Sequence, residues 1–211
     1  MIPHRTPFFL PMLYPSLHWR LATGSKELFL TFDDGPVPGP TEFVIDTLDH
    51  FSLKATFFCI GNNVNRYPEV FRRLLKAGHR VGNHTHNHLS GWRLRTNDYL
   101  EDILRCDAAL NSVGEHPGLS ALFRPPYGRI TRRQIATLNG RPVIMWDVLS
   151  ADYDRHQSPA SCLRNTLRAI RPGSIIVFHD SYKAEKSLSY ALPRMIDECL
   201  NRGYTFTTIR L

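Results

Sequence analysis

The sequence predicts an α/β domain in which a parallel sheet is covered by helices. Three observations carry that prediction. Short β-rich runs alternate with helix-period segments along the whole chain, the pattern of parallel strands joined by helical crossovers. One run, Ser174 to Phe178, is continuously apolar, as in a strand buried on both faces. The unusual polar residues collect just after the carboxyl ends of the runs, where such folds build their sites.

The elements follow in order. Glu27 to Phe32 is a β-rich run that ends in Asp-Asp-Gly-Pro. Thr41 to His50 reads as a helix, with Thr41 as its cap and Phe43, Val44 and Leu48 on one side. Ala55 to Ile60 is a second strand, stopped by Gly61. Pro68 to Ala77 is a helix with Pro in its first turn and Gly78 past its end. Arg80 to Asn83 is a short third strand. Asn97 to Val113 is an amphipathic helix, because Tyr99, Ile103, Cys106, Leu110 and Val113 step by four and three. Ala121 to Arg124 and Val143 to Trp146 are the fourth and fifth strands, with a short helix from Thr131 to Leu138 between them. Ser158 caps a helix from Pro159 to Ile170. After the sixth strand comes a helix from Leu188 to Asn201, and Thr205 to Ile209 is the seventh strand. Seven units suit either a doubly wound sheet or an eight-fold type of barrel with one unit missing. Patterning alone does not choose between them.

Composition narrows the class. The 211 residues suffice for one domain with a hydrophobic core. With 42% apolar and 21% charged residues, the chain reads as globular rather than disordered. No stretch approaches the roughly 20 apolar residues of a membrane span. The net charge is +7, but the basic clusters (Arg72, Arg73 and Lys76; Arg129, Arg132 and Arg133) are short and not interleaved with aromatics, so no nucleic-acid partner is expected. Cys59, Cys106, Cys162 and Cys199 form no CxxC pair and read as buried free thiols. Residues 1–25 read as an arm packed on the domain formed by 26–211. Pro7, Pro11 and Pro15 interrupt any signal-peptide core there. The expected location is therefore the cytoplasm, with the cell envelope as the alternative, and the expected state is a monomer.

The polar residues supply chemistry. Asp33 and Asp34 follow the first strand, His84, His86 and His88 the third, Arg124 the fourth, Asp147 the fifth, and His179 and Asp180 the sixth. His84 and His88, four apart, can present both imidazoles on one side of a helical turn, and Asp34 would complete three ligands with a place left for water. No Glu follows the first His as in the zinc metalloprotease motif, so the base must come from elsewhere, and Asp33 is available. His86 is left out of the ligand set. His179 is a candidate general acid, with Asp147 or Asp152 as its carboxylate partner.

Four motifs then appear in order: Thr31-Phe32-Asp33-Asp34-Gly35-Pro36, His84-Thr85-His86-Asn87-His88, Arg124-Pro125-Pro126-Tyr127-Gly128 and Val177-Phe178-His179. Together they resemble the NodB-type polysaccharide deacetylases, carbohydrate esterase family 4, from about Lys26 to the C-terminus. The resemblance implies a distorted (β/α) barrel of about seven parallel strands. It implies Asp33 as general base, Asp34, His84 and His88 as metal ligands, Arg124 as the residue that orients Asp33, and His179 as general acid with Asp152 as its partner. Tyr127 would lend a backbone N–H to the oxyanion, and Trp146, Tyr153 and Val177 would wall the acetyl pocket. The implied cofactor is a divalent metal, zinc first, with cobalt or manganese as alternatives. The implied reaction is removal of N-acetyl groups from N-acetylglucosamine-containing glycans, either peptidoglycan or chitin-like oligosaccharides. An O-acetyl esterase and an inactive glycan-binding scaffold are the rival readings. Two departures bear on the pocket's shape: Leu149 stands where the family often has Asp, and Tyr153 where it often has Trp. Val177 likewise replaces a common Leu.

Overall fold

The computed structural model describes residues 3–114, 119 and 121–211. Among the described residues there are six strands: β1 (Glu27–Asp33), β2 (Thr56–Cys59), β3 (Arg80–Asn83), β4 (Val148–Leu149), β5 (Ile175–His179) and β6 (Thr205–Thr207). The helices are α1 (Phe9–Leu13), α2 (Pro40–His50), α3 (Gly61–Arg66), α4 (Pro68–Lys76), α5 (Thr96–Gly114), α6 (Arg132–Ala136), α7 (Pro159–Ala169) and α8 (Glu185–Asn201).

All strand pairings are parallel, in the order β3-β2-β1-β5-β4. Single parallel bridges continue the circuit, from Asn83 to Phe123 and from Phe123 to Val143. The chain from Val143 runs on into β4, which pairs with β5, so the ring closes. Closure decides for the barrel over the doubly wound sheet. The distortion is visible on one edge of β1. Its first half (Glu27, Leu28, Phe29) pairs with β6 and its second half (Thr31, Phe32, Asp33) with β2.

Two expected strands, 121–124 and 143–146, are reduced to bridges. The physical reason lies in Arg124, whose guanidinium donates to the carbonyls of Ile144 and Met145. Those carbonyls are then less available to a ladder, and Pro125 and Pro142 have no N–H to offer one. The pairing with β5 moves instead to β4. Thr41 is not the cap of α2: the helix begins at Pro40 behind Gly39, and the Thr41 hydroxyl faces Asp180. Helix α3 has no apolar period to announce it. Ser158 caps α7 as expected, accepting from the Ser161 amide.

Alternation along β1 sorts its side chains. Leu28, Leu30 and Phe32 join the core that packs under α2, α4, α5 and α8. On the other face, Phe29 meets Phe58, Leu122, Ile144, Ile175 and Ile209 in an apolar plug inside the barrel. Thr31 and Asp33 continue that inner face, so the barrel is apolar at its base and carries a carboxylate at its mouth. Helix α5 buries Tyr99, Ile103, Cys106 and Leu110. All four cysteines are free and buried. Among the described residues, no helix is long and apolar enough to cross a membrane.

The arm lies against the thinnest part of the wall. The Leu149 amide donates to the His4 carbonyl, the Met145 amide to His18, and Arg20 bridges Ser174. Leu17 and Trp19 are buried beside Tyr99, Phe123 and Val143.

Candidate active site

The strand ends converge on a cleft of about 480 Å³. Asp33, Asp34, His84, His88 and His179 line it, with Tyr127, Trp146, Tyr153 and Val177 as further walls. Nine of the eleven site residues expected from sequence therefore share one cavity. The other two support it. Arg124 lies under Asp33, and Asp152 lies beside His179.

Asp33 ends β1 and is buried. Its Oδ1 accepts from Arg124 Nη1 at 2.6 Å. Arg124 is itself fully buried, yet every nitrogen of its fork is engaged: Nη1 also reaches Thr31 Oγ1, Nε the Ile144 carbonyl and Nη2 the Met145 carbonyl. Its carbon Cζ lies 4.1 Å from the centre of the Phe58 ring. Burial lowers the guanidinium pKa, and the Asp33 carboxylate opposes that shift. A cation so placed holds the Asp33 carboxyl group in one orientation.

Asp34, His84 and His88 bring one ligand atom each to within 4.8 Å of one another. His88 Nε2 lies 3.2 Å from Asp34 Oδ1, and His84 Nε2 lies 3.8 Å from the same oxygen. Zinc–ligand bonds of about 2.0–2.1 Å place tetrahedral ligand atoms roughly 3.3 Å apart, so the spacing suits a metal. Two further observations fit. Asp34 Oδ1 is buried with no hydrogen-bond partner. His84 Nδ1 lies 2.8 Å from the Arg124 carbonyl, which can only accept, so Nδ1 carries the proton and Nε2 keeps a free lone pair. Burial lowers the His84 pKa to about 4, against the pull of Asp33 and Asp34, leaving a neutral imidazole as ligation requires. Burial would raise the Asp34 pKa, but the close His88 ring, with His179 and His84 beyond it, holds it below the usual carboxylate range.

Backbone conformation aims these groups. Asp34, His88 and Tyr127 have φ of 85°, 55° and 59°, a left-handed region uncommon outside glycine. The loop that holds Asp34 is tied down by residues the sequence reading did not assign. Asn63 Nδ2 donates to the Asp34 carbonyl, and the Gly35 amide donates to Asp180 Oδ1. Thr41 Oγ1 lies 2.6 Å from Asp180 Oδ2. A Cβ at Gly35 would overlap the Asp180 carboxylate, so only glycine fits. Burial, with a smaller push from Asp34, raises the Asp180 pKa to about 8 despite the Thr41 and Gly35 hydrogen bonds.

His179 ends β5. Its Nδ1 is 2.7 Å from Asp152 Oδ1, and its backbone N–H donates to Asp152 Oδ2. Burial disfavours a charged ring here, but the charge and hydrogen bond of Asp152, with Asp34 and Asp33 behind them, raise the pKa to about 9. Asp147, the other expected partner, is not in the site. It pairs with Arg171 and Ser174 at the opposite end of β5. His86 turns away from the ligands and packs against Gly61. Arg129, Leu149 and Lys183 also line the cleft.

The polysaccharide deacetylase family model matches residues 20–141. A peptidoglycan-N-acetylglucosamine deacetylase of Listeria monocytogenes is 32% identical over 89% of the chain, which spans only 39% of that protein's length. A chitooligosaccharide deacetylase of a Bradyrhizobium species is 34% identical over 82% of this chain and 80% of its own. The crystal structure of the Bc1960 peptidoglycan N-acetylglucosamine deacetylase superposes with a TM-score of 0.87 at 29% identity, covering 97% of this chain and 95% of that one. With a closed parallel barrel, a family model over more than half its length and a relative matched along most of both chains, this protein belongs to the polysaccharide deacetylase family.

Proposed function

We propose that this chain is a metal-dependent hydrolase that removes N-acetyl groups from N-acetylglucosamine-containing glycans and releases acetate. The observation that carries the reading is the grouping, in one cleft, of a three-ligand set, a carboxylate fixed by a buried arginine and an imidazole fixed by a buried carboxylate. The names of the relatives, which act on peptidoglycan or chitooligosaccharides, support the substrate class.

Asp34, His84 and His88 would hold a divalent ion, and that ion would supply Lewis acidity to water and to the acetamide carbonyl. The N, N, O donor set suits zinc, with cobalt or manganese next. Asp33 Oδ1 stays on Arg124, while Oδ2 lies 3.9 Å from His84 Nε2, on the ligand side. That oxygen takes the proton from the attacking water. The Tyr127 backbone N–H supports the oxyanion. His179 keeps Nδ1 on Asp152 and presents Nε2 to the departing nitrogen, which leaves as an amine only once protonated. Trp146, Tyr153 and Val177 enclose the acetyl methyl.

The test is acetate release from a chitooligosaccharide by chelated protein, with and without added zinc. Zinc-dependent release is expected. Bound metal without release would move the reading to another acetylated substrate such as an O-acetylated polysaccharide, and failure to bind metal would overturn the ligand set.

A further inference from the structure

The mouth of the cleft carries positive charge that the reaction above does not use. Arg129 stands on the metal-ligand side, where Tyr127 packs on His88 at 4.7 Å between ring centres. Its guanidinium lies 5.3 Å from the Trp92 ring and 5.8 Å from the Tyr127 ring. Both rings are largely exposed, at 64% and 60%. Lys183 stands on the general-acid side, over Tyr153, which packs edge-on against His179 at 4.8 Å. Among the described residues, neither cation pairs with a carboxylate.

The cleft also continues past Lys183. Tyr153 and Lys183 are shared with an adjoining hollow of about 460 Å³, which adds Arg155, His156 and Lys186. Of its two carboxylates, Asp152 is matched by His179, and the charge of Asp154 is outnumbered by those of Arg155, Lys183 and Lys186. The passage leading away from the reacting centre therefore carries net positive charge. An acetamide is neutral, and a glycan of neutral sugars would leave these charges without partners. Guanidinium braced by aromatic rings presents a planar fork that matches a carboxylate, and aromatic faces suit the C–H faces of sugars.

We infer that this rim reads a carboxylate on a sugar next to the reacting one, with Arg129 and Lys183 as the pair that sets specificity, so that the natural substrate is an acidic glycan. The inference rests on the deacetylase reading for the identity of the reacting sugar, but its test does not depend on turnover.

The test measures binding to the metal-loaded protein by calorimetry at low salt. The probes are a peptide-free peptidoglycan tetrasaccharide, whose carboxylates are lactyl ethers, and a heparosan tetrasaccharide, whose carboxylates belong to glucuronic acid. Each is compared with the same molecule after its carboxylates are converted to amides. One of the acidic forms should bind about tenfold more tightly than its amide, the size of one charge-assisted contact. Which of the two does so identifies the source of the carboxylate. The gap should shrink as salt screens exposed charges, and it should close in Arg129→Gln/Lys183→Gln, whose melting curve confirms folding. Equal binding of both acids and their amides by the unaltered protein, or a gap that survives in the double variant, would overturn the inference. A glycan that binds with the expected preference yet releases no acetate would instead remove the deacetylase reading and leave the rim's role standing.

Discussion

Arg124 and Asp33 form a buried ion pair at the floor of the cleft, 2.6 Å between Nη1 and Oδ1. Removing one partner of such a pair leaves an uncompensated buried charge, at a cost of about 3–5 kcal/mol. Arg124→Met should therefore lower unfolding free energy by that amount in urea titrations. In Asp33→Asn/Arg124→Met the orphan charge is gone, and part of the loss should return. A double variant no more stable than Arg124→Met would mean that the arginine's carbonyl contacts, not the pair, hold the barrel.

Separating base from ligand needs two variants. In Asp33→Asn the amide oxygen still accepts from Arg124, so the fold and the metal site persist while the base is lost. Turnover should drop about 10²–10⁴-fold with metal content unchanged. In His84→Ala both metal content and turnover should disappear. Near-normal turnover in Asp33→Asn would show that another group takes the proton.

The His179–Asp152 pair predicts a pH dependence. A pKa raised to about 9 keeps the acid protonated through neutral pH, so loss of its proton should lower the rate on the alkaline side. For stability the sign follows from the same shift. The protonated pair contributes fully below the ordinary histidine value of about 6.5 and is lost as pH rises through about 9. In Asp152→Asn the largest opposition to burial is gone, leaving only the weaker pull of Asp34 and Asp33, so the alkaline limb of kcat should move to lower pH. A limb that does not move would assign it to another group.

Gly35→Ala would push a methyl group into the Asp180 carboxylate. Overpacking of this kind costs about 1–3 kcal/mol. Because Gly35 follows Asp34, zinc affinity measured by competition with a chelator should fall together with the melting temperature. A fall in melting temperature with unchanged zinc affinity would show that the loop shifts without moving the ligand.

Sequence was most informative where the signal is local. The apolar runs of β1 and β5, the four-and-three stepping along α5 and the Ser158 cap are all legible, because each depends on residues within a few positions of one another. Long-range contacts were not. The wall strands at 121–124 and 143–146 look regular in sequence, yet the Arg124 side chain takes the Ile144 and Met145 carbonyls of the neighbouring segment. Asp147 has the right spacing for a site carboxylate, and Arg171 and Ser174 draw it to the other end of β5. Asp180 and Asn63 brace the Asp34 loop from 145 and 29 positions away, and no periodicity reports such contacts.

The arm that lies along the 143–149 segment covers a stretch of exposed backbone. The wall there has only single bridges to Phe123, and the amides of Met145, Asp147 and Leu149 face outward or toward β5 in turn. By covering that stretch from His4 to Arg20, the arm hides what would otherwise be an open strand edge able to template another chain. Its prolines bring few amides of their own, so it can cover the edge without offering a fresh one. The backbone that shields this edge thus lies before residue 20, where the match to the family model begins.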